Sequence, residues 1–284
     1  MPEIVREIAD VREAIRSARR RGRTIGFVPT MGALHAGHVS LIDAAKRDGH
    51  VVVVSIYVNP TQFGPKEDLA AYPRNFDADR DACEKAGVDL IVTPTDAEMY
   101  PPGEQTRVKP GRLAETMCGP LRPGHFEGVC TVVAKLFNIV MPDVAYFGQK
   151  DAQQALIIKQ MVADLCFPVR IEVCPIVREA DGLAMSSRNA YLSKDERIRA
   201  LSLFRALSLG KQRLLDGEAN IGSIIEGMRE EIGRIAGPET VIDYVVVVNA
   251  DTLEPADSPE GLLLLAGAVR IGKTRLIDNL LVEL

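Results

Sequence analysis

A chain of 284 residues with 46% hydrophobic and 26% charged side chains can bury one large core or two modest ones, as soluble globular proteins do. Its net charge of −5 gives no electrostatic reason to expect nucleic acid as a partner, so positive charge for an anionic ligand must be gathered in particular loops. Five scattered cysteines with no C-x-x-C pair argue against a disulfide framework or a metal cluster and suit a reducing compartment.

The start of the chain, MPEIVREIADVREAIRSARR, is charged throughout and has no signal-peptide core. No run approaches the roughly 18 apolar residues of a membrane span. The expectation is a cytoplasmic protein with no membrane partner. Ile4, Ile8, Val11 and Ile15 recur at helical spacing and predict an amphipathic first helix. It ends in the basic run Arg19–Arg23, whose cations suit the C-terminal end of the helix dipole.

Ile25 to Val28 is a short apolar run of the kind that forms a buried strand. Pro29 lacks a ladder donor and Gly32 opens backbone angles closed to other residues, so the strand should stop there. From Ala33 the pattern turns helical, with Leu34, Val39, Leu41 and Ile42 as its apolar members. Strand, glycine-containing loop and helix together offer free backbone N–H groups to an anion at a helix N-terminus. His35 and His38 sit in this turn, separated by Ala36 and Gly37. At positions i and i+3 both imidazoles can face one ligand, and Gly37 leaves room for a flat group. A zinc site is disfavoured because no third ligand stands at a matching spacing.

The β-branched run VVVVSIYV (51–58) reads as a parallel strand covered on both faces, and Val88 to Val92 as a third strand after a helix over Asp77–Ala86. Residues 94–124, rich in Pro and Gly, read as a long loop and a candidate gate. A helix over Gly128–Met141, a strand over Val144–Phe147, a helix over 152–164 and a strand over Val169–Val173 continue the alternation. The pattern implies an α/β fold, a Rossmann-like parallel sheet flanked by helices, with ligands bound beyond the carboxyl ends of the strands. Beyond it, a helix-rich stretch (194–235) and strand-like runs at 243–255 and 262–272 form a second, smaller C-terminal α+β domain. The expected division is 1–178 for nucleotide and substrate binding and 179–284 for a small domain closing over the site.

Four polar segments lie at the predicted strand ends and turns. FGQKD (147–151) carries Lys150, a compact positive charge suited to phosphate. READGLAMSSRN (178–189) carries Ser186, Ser187 and Arg188, two hydroxyls and a guanidinium able to fork onto phosphate oxygens. VNPTQF (58–63) supplies the amides of Asn59 and Gln62, and the histidine turn is the fourth. With GHFEGVCTVVAKLF (124–137) and TRLIDN (274–279), in order from about residue 24 to 279, these closely resemble the pantothenate synthetase (pantoate–β-alanine ligase) family. The histidine and Ser-Ser-Arg segments also resemble the two signatures of class I aminoacyl-tRNA synthetases, within the wider nucleotidyl-transfer superfamily.

The resemblance implies a two-step ligation in which pantoate is activated by ATP to pantoyl adenylate and β-alanine then displaces AMP. It implies Mg²⁺ carried on the ATP phosphates, no protein-built metal site, and a homodimer. It places His38, His35 and Lys150 at the chemistry. It assigns ATP to Met31, Gly32, Ala33, Leu34, His35, Ala36, Gly37 and His38, to Gly148, Gln149, Lys150 and Asp151, and to Val177, Met185, Ser186, Ser187 and Arg188. Gln62 and Gln154 fall to pantoate and β-alanine. Two positions depart from the family pattern: Gln149, where many members are acidic, and Ala152, where many are aromatic.

Each segment alone has a plainer reading: an ion pair for Lys150–Asp151, helix capping for the Ser-Ser-Arg turn, solvated or capping histidines for the first turn. GAVRIGKT (267–274) also matches the phosphate-loop pattern G-x-x-x-x-G-K-[ST]. Too few residues follow it to build the parallel sheet that such a loop serves, and the same residues fit a strand pair. A nucleotidyltransferase, a phosphate-loop NTPase dependent on Lys273 and a non-catalytic ATP-binding regulator stand as alternatives to the ligase.

Overall fold

The computed structural model describes every residue except 66 and 68. The chain divides into two compact units, Met1–Gln149 with Gln154–Pro175, and Lys150–Gln153 with Ile176–Leu284. Their classes are those expected, a parallel α/β sheet and a smaller α+β unit.

In chain order the first unit contains β1 (Glu3–Val5), α1 (Ile8–Arg20), β2 (Ile25–Thr30), α2 (Ala36–Arg47), β3 (Val51–Ile56), α3 (Phe76–Lys85), β4 (Leu90–Val92), α4 (Asp96–Met99), α5 (His125–Val140), β5 (Val144–Gly148), α6 (Ala152–Asp164) and β6 (Arg170–Cys174). The six strands are all parallel in the order β1-β4-β3-β2-β5-β6, so the order reverses at β2, where open α/β sheets bind ligands. Alternation along β2 separates the two faces of the sheet. Val28 packs with Leu41, Ile42 and Ala45 of α2 and with Val54 and Ile91. Phe27 turns to the other face and meets Phe137 of α5 edge to face, with Phe147 and Phe167 around the same ring.

Two local expectations are corrected. Ile4 is not the start of the first helix; it lies in β1, paired with Ile91, and α1 begins at Ile8. Nor does Pro29 end β2, which continues to Thr30 with Pro29 in register with Ser55. The carbonyls of Thr24 and Thr30 accept from the N–H groups of Val51 and Tyr57, so the even-numbered residues of this strand face β3. Pro29, an odd position, faces β5, whose register with β2 covers only Gly26 and Phe27. The proline therefore costs no ladder bond.

The second unit contains α7 (Lys194–Leu215), α8 (Ile221–Ala236), β7 (Val241–Asn249), β8 (Leu262–Ile271) and β9 (Thr274–Glu283). Its sheet is an antiparallel meander, β7-β8-β9, packed on α7 and α8 through Leu203, Leu207, Ile224, Met228, Leu265 and Val269. Ser193 caps α7 in a reciprocal capping box with Glu196. The phosphate-loop pattern at 267–274 proves to be a hairpin: Ile271 pairs with Thr274 across the two-residue turn Gly272–Lys273. No helix begins there, so Lys273 has no phosphate loop to serve.

Candidate active site

The histidine turn leaves the carboxyl end of β2. Gly32 has φ +82°, and a Cβ there would lie 2.8 Å from the carboxylate of Asp79. Ala33 follows at φ 51°, in a region that costs a non-glycine residue about 1 kcal/mol. Asp79, buried on α3, holds the turn by accepting from the backbone N–H groups of Ala33 (3.0 Å) and Leu34 (2.7 Å). The hydroxyl of Thr30 accepts from the Gly32 N–H at 3.2 Å.

The helix then starts one turn later than its sequence pattern suggests, with His35 as N-cap. His35 Nδ1 accepts from the Gly37 N–H (3.1 Å), and His38 Nδ1 accepts from the His35 N–H (3.3 Å), a capping box built from two imidazoles. Their ring centroids are 4.1 Å apart. An Nδ1 that accepts from a backbone N–H leaves Nε2 as the ring nitrogen that carries hydrogen. This changes the expected basis of anion binding. The N–H groups of Gly32, Ala33, Leu34, His35 and Gly37 are all engaged, those of Ala33 and Leu34 by Asp79 of α3 and the others by Thr30, His38 and His35. Any imidazole contact to an oxyanion must therefore be made through Nε2, not through Nδ1 or these backbone groups. The plainer reading, capping, and the functional one use opposite nitrogens of the same rings.

Gln62 closes a short 3-10 turn, Pro60–Gln62, beyond β3 and is buried. Its Oε1 accepts from Asn59 Nδ2 (3.1 Å) and its Nε2 donates to Met31 Sδ (3.1 Å), which joins the amide to the histidine turn. Asn59 is spent internally: its Oδ1 accepts from the Tyr100 hydroxyl (2.7 Å) and its Nδ2 also reaches the Gly128 carbonyl. At Gly128 a Cβ would fall 2.5 Å from the Thr61 carbonyl oxygen, so α5 can approach this turn only with glycine there. His125 adds a second tie. Its Nδ1 donates to the Gln62 carbonyl (2.9 Å), leaving Nε2 to accept from Arg122 (2.9 Å), and Glu67 grips Arg122 at 2.6 Å. Gln154 lies half-buried in the first turn of α6.

The 94–124 segment, expected as a loop and candidate gate, contains α4 and is fastened to α5. Val108 N–H donates to Thr131 Oγ1 (3.0 Å), and Lys135 bonds both the Met99 carbonyl and Glu104 while lying over the Tyr100 ring.

In the second unit, Lys150 lies in the 3-10 turn Gln149–Asp151 that continues from Gly148, its ammonium 3.7 Å from the Asp151 carboxylate. That is a loose pair, and the lysine remains half-buried. Val177 and Met185 face each other across a small hairpin, where the Met185 N–H donates to the Val177 carbonyl at 3.0 Å and Arg178 bridges to Ala184. Ser186 then caps a 3-10 turn, Ser187–Tyr191, through the Arg188 N–H (3.3 Å). Around this hairpin Arg197 binds Glu179 (2.7 Å) and Asp181 (2.8 Å), and its guanidinium holds the Asp181 carboxyl below its ordinary range. Among the described residues no group of three or more His, Cys, Asp or Glu side chains could hold a metal ion.

Asp79, His125, Arg178 and the Asp278–Asn279 pair carry these turns, yet no local pattern marked them as functional. His125, Arg178 and the Asp-Asn pair stand inside the segments that carry the resemblance, without a role. Asp79 stands in none.

The profile of the Pantoate-beta-alanine ligase family matches residues 3–281. The chain belongs to the pantoate–β-alanine ligase family. The resemblance read from its motifs therefore extends over its length. A pantothenate synthetase from Moorella thermoacetica is 55% identical over 281 residues, 99% of each chain, and one from Thermotoga petrophila is 50% identical over 277 residues, 98% of each. Among solved structures, a pantothenate synthetase from Thermus thermophilus superposes with TM-score 0.93 at 44% identity, covering 98% of each chain. A pantoate-β-alanine ligase from Francisella tularensis, crystallised with "Beta-gamma ATP" and β-alanine, gives 0.81 at 35% identity, covering 99% of this chain and 98% of its own.

Proposed function

We propose that this protein condenses (R)-pantoate with β-alanine at the expense of ATP, forming pantothenate, AMP and pyrophosphate. In the first step a pantoate carboxylate oxygen attacks the α-phosphorus, and the bond to the β-phosphate oxygen breaks with its electron pair leaving on pyrophosphate. In the second the deprotonated amine of β-alanine attacks the acyl carbon of pantoyl adenylate, and AMP departs with the electron pair of the acyl–oxygen bond.

Neither step needs covalent help from the protein, so catalysis rests on positioning and on stabilising the charge that moves onto phosphate oxygens. The observation that carries the reading is the imidazole capping box in a chain of this family. Rings whose Nδ1 atoms accept from the helix start hold their hydrogen on Nε2, the nitrogen suited to an oxyanion. We assign His38 and His35 to the phosphates, with Lys150, Ser186, Ser187 and Arg188 on the triphosphate and the departing pyrophosphate. Met31, Gly32, Ala33, Leu34, Ala36 and Gly37, with Gly148, Gln149, Asp151, Val177 and Met185, complete the ATP set through backbone and packing. Gln62 and Gln154 hydrogen-bond pantoate, and Gln62 also serves β-alanine. A neutral amide can hold a hydroxy acid without neutralising the carboxylate that must attack.

The cationic and N–H donors of this set suit phosphate oxygens rather than a cation, so Mg²⁺ enters on the phosphates and supplies charge neutralisation there. The assembly is a homodimer working in the cytoplasm. The test is to incubate the protein with Mg·ATP and follow phosphorus-containing products with pantoate and β-alanine, separately and together. AMP and pyrophosphate in quantity only with both substrates is the expected result; ADP and phosphate, or no turnover, would refute the ligase.

A further inference from the structure

The terminal segment TRLIDN belongs to the family resemblance, yet the reaction assigns it no part. In the structure its last two residues reach both of the second unit's phosphate-side segments. Asp278 is 5% exposed and accepts from Arg178 through both oxygens, at 2.6 and 2.9 Å. Arg178 also donates to the Gly182 and Asn279 carbonyls and stacks on Phe204, 4.3 Å from its ring centroid. It is the second residue of the hairpin Val177–Met185, whose last residue leads straight into Ser186, Ser187 and Arg188.

Asn279, 3% exposed, turns elsewhere. Its Nδ2 donates to the backbone carbonyl of Lys150 at 3.1 Å, across 129 residues of chain. The peptide between 278 and 279 is itself tied down, with Asp278 Oδ1 accepting from the Asn279 N–H at 2.8 Å. β9 is in full register with β8 here, Asp278 opposite Gly267 and Asn279 opposite Ala266, so the pair sits on a strand that cannot slide.

We propose that Asp278–Asn279 is the positioning element of the phosphate-binding side chains: Asn279 fixes Lys150 through its carbonyl while Asp278, through Arg178, fixes the hairpin that presents Ser186–Arg188. The residues touch no reacting atom; they set one phosphate-side segment against the other. A site whose donors must be placed to about half an ångström needs such support from a rigid element. This inference rests on the ligase reading for the roles of Lys150 and Arg188.

The test is a double-mutant cycle on the full-length protein: wild type, Asn279→Ala, Lys150→Ala and the double variant. Each is measured for ATP dissociation constant by calorimetry and for kcat with pantoate and β-alanine. Asn279→Ala should weaken ATP about five- to tenfold in the wild-type background, the effect of one lost hydrogen bond. With Lys150 already alanine the same change should cost less than about twofold, because the two act as a unit. Equal losses in both backgrounds, or wild-type affinity in Asn279→Ala, would overturn the proposal. Asn279→Leu comes close to the volume and removes the donor without burying a charge, and should reproduce the alanine result. If both variants fail to fold, Asn279 is a residue of the fold alone and the proposal falls. ATP affinity is read apart from product, so coupling without pantothenate would sink the ligase reading and uphold the positioning. Pantothenate without coupling would do the reverse.

Discussion

The two turns assigned to phosphate are fixed by different physics. The histidine turn of the first unit is held by its own two imidazoles and by the buried carboxylate of Asp79 on α3, which take up its backbone donors. The Ser-Ser-Arg turn of the second is held from behind by ion pairs, Arg178 with Asp278 and Arg197 with Glu179 and Asp181. Under the proposed assignment the first turn would offer imidazole N–H groups and the second a guanidinium, so geometry and charge would come from different turns.

Breaking the second turn should have the largest effect on stability. Burial raises the Asp278 carboxyl above its ordinary range against the opposing pull of Arg178. Asp278→Ala leaves the guanidinium buried without its carboxylate, at a cost of about 3–5 kcal/mol, measurable by urea denaturation. A loss under about 1 kcal/mol would show that the pair is not the hairpin's anchor. Breaking the first turn should be felt in turnover: His38→Ala should lower kcat about 10²–10³-fold with the fold intact, as removing one oriented donor does. Near-normal turnover in both His38→Ala and Lys150→Ala would refute the site.

A smaller effect separates the buried carboxylate of the first turn from a mere cap. Asp79→Ala orphans the Ala33 and Leu34 N–H groups and should destabilise the protein by about 2 kcal/mol. Asp79→Asn should recover less than half of that, because its amide NH₂ must oppose one of the two donors. Full recovery by asparagine would mean that only one of those bonds matters.

The smallest effect lies behind Gln62. Burial raises the Glu67 carboxyl, but the hydrogen bonds and charge of Arg122 outweigh it and leave Glu67 below its ordinary value of 4.5. A depressed carboxylate contributes stability that is fully present above that value and lost as pH falls through the lower folded one. Thermal melts should therefore show a loss of stability on acidification below about 4.5 that is shallower in Arg122→Leu. Parallel acid limbs in the two proteins would remove Glu67–Arg122 from the account.

The sequence carried the parallel sheet because periodicity is a local signal. The helix at 152–164 has its expected bounds, and the strands expected at 51–58 and 144–147 run over Val51–Ile56 and Val144–Gly148. It failed where the deciding contact is distant or the element short. Ile4 fits a helix by spacing, and only pairing with Ile91 makes it a strand. Pro29 looks like a terminator until the register shows that its missing donor faces past the end of β5 pairing. The two histidines were visible, but their Nδ1 atoms could not be seen to be taken by the backbone. Asp79 lies 46 residues from the Ala33 N–H it holds, and Asn279 lies 129 from Lys150. No local pattern reports such bonds.

The most direct test of the central claim follows oxygen. Pantoate labelled with ¹⁸O in its carboxylate is incubated with the protein, Mg·ATP and β-alanine, and AMP is examined by mass spectrometry. Attack of the carboxylate on the α-phosphorus followed by displacement at the acyl carbon predicts one ¹⁸O transferred to each AMP. Unlabelled AMP, with the departing ¹⁸O found in phosphate, pyrophosphate or water instead, would contradict the adenylate pathway and with it the assignment of these two turns.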